Sequence, residues 1–377
     1  MKRLLIVTTV PATLSAFLLP FARHFREQGW QVDAMTRGGA VRPEVAMAFD
    51  HVWPVDWSRS PLSPQNLVRT PRVVRQIVRR ERYDLIHVHT AVAGFVTRYA
   101  LRSVRGRDGP KVIYTAHGFN FGQGNPFHKN VAFLGLEKLA GRWTDYQVVI
   151  NRQDEAAARR HRIVPPDRVC YMPGIGLDLG FYKAESVTAS AVERVRLDLG
   201  LASADQLLLV VAELIPRKRH ADALRAFARL VGRNAHMALA GEGPLLEPLR
   251  QLAAELNIHD RVHFLGFRRD IPALMCASSA LVLPSCAEGL PRSVMEAQSL
   301  EVPVIGTDIR GVRDLLADGR GLMFKVGDVG GLAHAMAWVL RHPGEARAMA
   351  QRGRAQIATY DLRRVIALHD ELYAKAL

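Results

Sequence analysis

Cysteine is scarce in this sequence: Cys170, Cys276 and Cys286 are the only three in 377 residues, and they form neither a CxxC pair nor a zinc-ligand spacing. A disulfide framework is thereby excluded, and a reduced, cytosolic protein is expected. Cys286 is expected to be a small, buried residue. Also missing is any stretch of 18 uninterrupted apolar residues, so no membrane-spanning helix is expected. The run Leu4–Val7 behind Lys2 and Arg3 has the look of a signal peptide. Pro11 breaks that run, Pro20 follows, and no small-x-small cleavage site comes next. A first strand followed by a helix fits better. The sequence also lacks solenoid-length repeats, low-complexity tracts and any Asp-x-Asp pair. No metal cluster is evident, and His87 and His89 read as strand-end residues rather than ligands.

What is present is an ordinary globular composition, 49% apolar and 23% charged, in a chain long enough for two cores. The net charge of +15 is unevenly placed. Residues 1–180 hold 26 basic against 14 acidic side chains, whereas residues 181–377 are nearly balanced at 25 against 22. A basic half beside a near-neutral half points to a polyanionic partner for the first half, unless arginine-rich composition alone accounts for it. No nucleic-acid motif accompanies the charge, so nucleic acid is not expected as a partner.

Short apolar strands alternate with amphipathic helices along the chain. Strands are expected at 4–8, 31–36, 85–89, 112–115 and 147–150, then at 207–212, 236–240, 262–265, 281–284 and 302–306. Helices are expected near 13–28, 65–81, 91–104, 129–141 and 152–161, then at 190–199, 220–231, 245–256 and 292–299, and in a terminal group at 330–341, 344–356 and 361–375. This alternation implies α/β architecture with parallel sheets covered on both faces. It pauses between Gly174 and Gln206, the natural linker. The expected division is 1–180, 181–360, and a last helix over 361–377 that can pack back on the first domain. Two doubly wound sheets on one linker would face each other across a cleft, with ligands outside the carboxyl ends of their strands.

The strongest local signal runs from Leu281 to Ala297: a buried strand, a small-residue loop containing Glu288 and Gly289-Leu290, then a helix opened by Pro291 and carrying Glu296. A helix opened in this way offers backbone amides to a phosphate. Its rise from Pro291 to Glu296, about 8 Å, is about the span from a sugar past a diphosphate to a ribose. Capping by Glu288 and solvation of Glu296 are the alternative. A second candidate is the strand-end turn Glu213-Leu-Ile-Pro-Arg217-Lys218-Arg219, whose cations suit a diphosphate unless the turn is merely solvated. Gly241 and Gly243 end the next strand and permit close backbone approach. In the first half, arginines at 69, 72, 75, 79, 80 and 82 punctuate one helix, and Arg98, Arg102, Arg105 and Arg107 a region beyond it; basic helices of this kind suit an anionic bilayer or a lipid diphosphate. Phe17, Leu18, Leu19 and Phe21 suit either a lipid chain or the core.

Together these motifs resemble one family, the retaining glycosyltransferases of family 4 with the GT-B fold, over essentially the whole chain. The resemblance rests on Glu288 and Glu296 at E-x7-E spacing, Arg217-Lys218, Gly241-Glu-Gly-Pro244, Phe264-Leu-Gly266, Pro303-Val-Ile305 and Gly311 with Asp314. In the first half it rests on Asp84-Leu-Ile-His-Val-His89, Thr115-Ala-His117-Gly118, Asn151 with Asp154, and Pro173-Gly-Ile-Gly-Leu-Asp178. The resemblance is greatest to enzymes that extend bacterial exopolysaccharide, capsule or O-antigen units on a polyprenyl-diphosphate carrier.

The resemblance implies a nucleotide-sugar donor, most often a UDP-sugar, and transfer of a hexose or N-acetylhexosamine with retention, without metal or other cofactor. It further implies a lipid-linked saccharide acceptor and attachment to an anionic membrane surface at the inner face of the cell membrane. Catalytic roles fall to Glu288, His117 and Lys218. Donor contacts fall to Glu213, Arg217, Lys218, Gly241, Gly243, the backbone near Arg268, Gly289, Leu290, Pro291 and Glu296. The acceptor side is expected at Thr9, Thr13, His89 and His117. Two departures stand out: Glu213 occupies the position where many members carry arginine, with Arg217 available to supply the charge, and no glycine follows the first strand. A sugar-nucleotide epimerase and a non-catalytic sugar-nucleotide-binding subunit share the architecture. The first would convert donor without acceptor, and the second would bind donor without turnover.

Overall fold

The computed structural model describes the chain except for residues 39–41, 59–61, 105–108, 123–125, 231 and 233. Arg105 and Arg107 of the basic region lie outside the described residues. The chain forms two compact units, Met1–Ile175 with Arg363–Leu377, and Gly176–Leu362. The first contains strands β1 (Arg3–Val7), β2 (Gln31–Thr36), β3 (His51–Pro54), β4 (Leu85–His89), β5 (Lys111–Ala116), β6 (Tyr146–Val149) and β7 (Val169–Tyr171); the second contains β8 (Gln206–Val211), β9 (Ala235–Ala240), β10 (Val262–Gly266), β11 (Ala280–Leu283), β12 (Val304–Thr307) and β13 (Leu322–Phe324).

Every pairing between these strands is parallel. The first sheet runs β3-β2-β1-β4-β5-β6-β7 and the second β10-β9-β8-β11-β12-β13. In each, strand order reverses at one place, between β1 and β4 and between β8 and β11. Such a reversal opens a crevice at the carboxyl edge, because successive connections leave it in opposite directions. Central strands are continuous apolar runs: Leu4–Val7 and Leu207–Val210 are almost wholly buried, as sheets covered on both faces require.

Two helical segments contain π-type turns, Leu14–Leu18 and Gln65–Arg69, each two residues ahead of a proline, Pro20 and Pro71. Proline has no N–H to donate and its ring crowds the preceding turn, so a locally widened turn accommodates it. Leu18, Leu19 and Phe21 are buried, which settles them as core residues. The last helix, Leu362–Ala376, packs within the first unit: Tyr373 stacks on Phe25 at 4.7 Å and Asp370 pairs with His24 at 2.8 Å.

Two expectations are corrected. Arg98 is not a surface cation but 1% exposed. Its Nε donates to the Gly94 carbonyl (2.9 Å), Nη1 to Thr144 (3.3 Å) and Nη2 to Glu137 (3.2 Å), and its guanidinium lies 3.8 Å from the Tyr114 ring centroid. A planar cation with this many partners is tolerated in a core where a solvated one is not. Cys286 is exposed rather than buried, because it sits in the loop beyond β11 and not on the strand. Arg72, Arg79, Arg80 and Arg82 do face solvent.

Candidate donor and acceptor sites

In the second unit the loops after β8 and β11 meet at the reversal of strand order. Val211 ends β8, and a 3-10 turn, Pro216–Lys218, leads through Arg219, in the left-handed region at φ 52°, into the helix His220–Phe227. The Cys286 N–H donates to the Arg217 carbonyl (2.9 Å), and Arg217 Nη1 donates to the Ala287 carbonyl (3.3 Å). These bonds fix the two loops against each other and bring Lys218 Nζ to 2.6 Å from Glu288 Oε1. Only 9% of the Glu288 side chain and 16% of the Lys218 side chain reach solvent. A desolvated carboxylate needs such a partner. The ammonium has three donors, so it can hold Glu288 and still meet an incoming anion.

Glu296 lies in the helix Arg292–Ser299, is 6% exposed, and accepts from Arg292 Nε at 2.9 Å, with the Tyr182 phenol beside it. Burial raises its pKa, against the opposing pull of Arg292. The Tyr182 phenol is pushed up by its own burial and by Glu296. Pro291 caps the helix and supplies no side-chain acceptor. The first-turn amides of Ser293 and Val294 therefore find no carbonyl inside the helix and are oriented to receive an anion.

Three further backbone approaches complete this edge. A Cβ on Gly311 (φ 76°) would fall 2.0 Å from the Gly289 carbonyl oxygen, so glycine there lets the β12 loop brace the Gly289–Pro291 loop. On the other side, a Cβ on Gly241 would fall 2.0 Å from the Ala212 oxygen, and one on Gly243 would fall 2.5 Å from that of Leu214. The β9 turn thus lies directly on the turn after β8. Glu213 is exposed. The Arg268 side chain is held by Asp270 at 2.8 and 2.5 Å, which raises its pKa further.

The sign of the Glu296 shift gives a testable consequence. A raised carboxylate pKa means that the folded protein holds a proton more tightly than the unfolded chain does. That stabilisation is full below the ordinary carboxylate pKa and is lost as pH rises through the raised value. At pH 7 the ionised group therefore carries a net cost. Glu296→Gln is expected to raise the Tm by about 2 °C at pH 7, with the gain shrinking towards pH 4. Scanning calorimetry across that range checks it; a Tm lowered by several degrees at pH 7 would show that the ionised carboxylate is a net stabiliser.

The first unit has a corresponding polar edge. Thr9, after β1, and Thr90, after β4, share a hydrogen bond of 2.6 Å across that sheet's reversal, and the Thr9 N–H donates to Thr90 Oγ1 at 3.1 Å. Thr90 sits at φ 68°, a strained conformation for a β-branched residue. Thr13 ends the short helix Pro11–Thr13. His89 and His117 meet at 3.0 Å, Nδ1 to Nε2. His87 stacks on His89 with ring centroids 4.2 Å apart and bonds Tyr373 (2.5 Å) and Thr115 (2.7 Å). Burial lowers the pKa of all three histidines, that of His117 to about 4, so the chain of rings is neutral at pH 7. Each ring then offers one N–H and one lone pair, as suits a hydroxyl rather than an anion.

Asn151 and Asp154 support this edge. Asn151 caps the helix Arg152–His161 by accepting from the Asp154 N–H (2.8 Å), and Asp154 Oδ2 accepts from the Phe119 N–H (3.1 Å), which tethers the His117–Phe119 loop. Two neighbours of Glu296 were not anticipated. Arg292 stands at the i, i+4 spacing to Glu296 that favours ion pairs and was open to sequence reasoning. Tyr182 reaches Glu296 only through tertiary packing.

Comparison with known proteins agrees with both halves. Residues 14–174 match the model described as "Glycosyl transferase 4-like domain", and residues 192–356 that described as "Glycosyl transferases group 1". The chain is 31% identical over 376 residues to the "Putative glycosyltransferase EpsD" of Bacillus subtilis (strain 168), covering 99% of this chain and 96% of that one. It is 26% identical over 270 residues to the Escherichia coli "UDP-Gal:alpha-D-GlcNAc-diphosphoundecaprenol alpha-1,3-galactosyltransferase", covering 70% and 68%. Among solved structures, Anabaena Alr3699/HepE in complex with UDP and glucose superposes with a TM-score of 0.83 at 20% identity, over the whole of both chains. WaaG, a glycosyltransferase involved in lipopolysaccharide biosynthesis, gives 0.76 at 19% identity over 99% of each. The chain therefore belongs to the group 1 glycosyltransferases and has the GT-B fold.

Proposed function

We propose that this glycosyltransferase moves a hexose or N-acetylhexosamine from a UDP-sugar to a lipid-linked saccharide in bacterial surface-polysaccharide synthesis, with retention at the anomeric carbon. The observation that carries the reading is the Lys218–Glu288 pair, held at 2.6 Å where strand order reverses in the second unit. A diphosphate placed there would take the Lys218 ammonium, the Arg217 guanidinium and the amides of the helix Arg292–Ser299 as partners. Each strengthens as negative charge grows on the departing nucleotide, so each lowers the barrier rather than merely tightening the ground state.

Glu288 steadies the positive charge that develops at the anomeric carbon. Glu296 accepts from the ribose hydroxyls, and backbone near Arg268 meets the base. The acceptor hydroxyl attacks from the side the nucleotide leaves, and the leaving diphosphate takes its proton. Thr9, Thr13, His89 and His117 serve the acceptor side. Because cationic side chains and helix amides neutralise the diphosphate, the reaction is proposed to need neither metal nor other cofactor, and a chelator is expected to leave the rate unchanged.

The names of similar proteins support the donor and acceptor classes: HepE is described with UDP and glucose, and the E. coli relative names a UDP-sugar donor and a diphosphoundecaprenol-linked acceptor. The test is a screen of sugar nucleotides for diphosphate release with and without lipid-linked saccharides. Acceptor-dependent UDP release is expected. Conversion of donor without acceptor would mark an epimerase, and binding without any turnover a non-catalytic subunit.

The place of action is proposed to be the anionic inner face of the cell membrane, with the chain held peripherally. Among the described residues no helix is long and apolar enough to cross a bilayer. The helix Thr70–Glu81 turns Arg72, Arg79 and Arg80 to solvent. Vesicle binding through these groups is expected to fall about tenfold when salt rises from about 0.1 to 0.5 M, as the screening length shrinks below the reach of a side chain. Flotation with anionic vesicles measures it, and binding indifferent to both salt and lipid charge would remove the electrostatic component.

A further inference from the structure

The helix Phe127–Gly141 has an outer face that its inner packing leaves unused. Phe133 and Leu136 pack on the core of the first unit, and Ala140 is buried. On the outside Phe127 is 83% exposed, Val131 54% and Leu139 40%. Their four-residue spacing, continued through Gly135, lays them along one broad stripe. Exposed Lys138 lies along it, and exposed Lys129 adds a second cation near the start of the helix. The helix's one acidic residue, Glu137, is turned inward to Arg98 and Tyr114. A contiguous apolar stripe accompanied by cations, with no outward carboxylate, is a docking surface and not an incidental scatter of exposed side chains.

Length and charge select the occupant. Fifteen residues rise about 22 Å, short of the roughly 30 Å hydrocarbon core of a bilayer, so the helix can lie in a membrane interface but cannot span it. The helices Thr70–Glu81, Ala91–Leu101 and Phe127–Gly141 stand side by side in one layer on the sheet, each touching the next. The outward arginines 72, 79 and 80 therefore belong to the same layer as the apolar stripe. A second copy of this chain would bring like charge to that layer. An anionic bilayer meets both features: headgroups for the cations and acyl chains for Phe127, Val131 and Leu139.

We infer that the helix Phe127–Gly141 is an interfacial anchor that inserts its Phe127–Val131–Leu139 stripe into an anionic membrane surface. This rests on the membrane part of the proposed function and names the surface that makes the contact, independently of the sugar transferred. The test uses the full chain, vesicles of phosphatidylglycerol with phosphatidylcholine, and flotation at low and high salt. Phe127→Ser/Val131→Ser, both at exposed positions, is expected to lower the partition coefficient about tenfold or more and to abolish the binding that survives high salt. UDP affinity and Tm should stay at wild-type values, which separates failure of the anchor from failure of the enzyme reading. Phe127→Trp should become quenched by lipids brominated on their acyl chains. Wild-type partitioning of the double variant, or no bromolipid quenching, would overturn the inference. So would light scattering that shows the stripe buried in a dimer that the double variant dissolves.

Discussion

Lys218→Ala is expected to lower kcat/KM for sugar transfer by about 10²–10³-fold, the usual cost of removing one preorganised charge from a developing anion. The same substitution leaves Glu288, only 9% exposed, without its 2.6 Å partner, so some loss of stability accompanies it. The two effects separate in the double variant Lys218→Met/Glu288→Gln. Neutralising both partners removes the stranded carboxylate and should return the Tm towards wild type, while activity stays at the floor. Recovery of activity together with stability would mean that Lys218 acts only by holding the loop. The loops after β8 and β11 keep their register in either variant, since the Cys286–Arg217 backbone bond does not involve these side chains.

Arg98→Ala should be the most damaging change in the first unit, at about 3–5 kcal/mol of folding stability. It removes three hydrogen-bond donors and a ring contact from a site 1% exposed, and it strands Glu137, whose other oxygen accepts from the Tyr114 hydroxyl at 3.2 Å. Chemical denaturation measures the loss as a lower midpoint at unchanged slope. Replacing both partners, as Arg98→Met/Glu137→Gln, should recover part of it, because no charge is then stranded and the amide oxygen can still accept from the Tyr114 hydroxyl. A loss below about 1 kcal/mol in the single variant would place Arg98 with the ordinary surface arginines.

Arg98 also marks where sequence reasoning stops. One-dimensional charge counts placed it with the membrane-facing arginines, yet Glu137, Thr144 and Tyr114 gather round it only once the helices pack. The central strands were legible because burial on both faces writes long apolar runs into them, as in Leu207–Val210. The edge strands β3, β7 and β13 were not, being three or four residues long and, for β3, half exposed and ending in proline. In the second unit, Lys218 and Glu288 were named from loop chemistry at two strand ends, and the fold brings them together because those strands flank the reversal. The partners of Glu296 divide by range: Arg292 lay within helical reach, whereas Tyr182 arrives from the turn that opens the unit. His87 and His89 read as strand-end residues; His89 is one, but His87 lies buried in the middle of β4. Nothing local announced that Tyr373, in the last helix, would bond to His87.

The central claim is that the nucleotide diphosphate docks where β8 and β11 diverge, on Lys218 and the helix that follows Pro291. Calorimetric titration of UDP into the wild-type chain and into Lys218→Ala, at one ionic strength and below both Tm values, tests it without need of the acceptor. The account predicts that Kd rises about tenfold or more. Equal affinity within a factor of two, in a variant shown by calorimetry to be folded, would put the diphosphate elsewhere and contradict it.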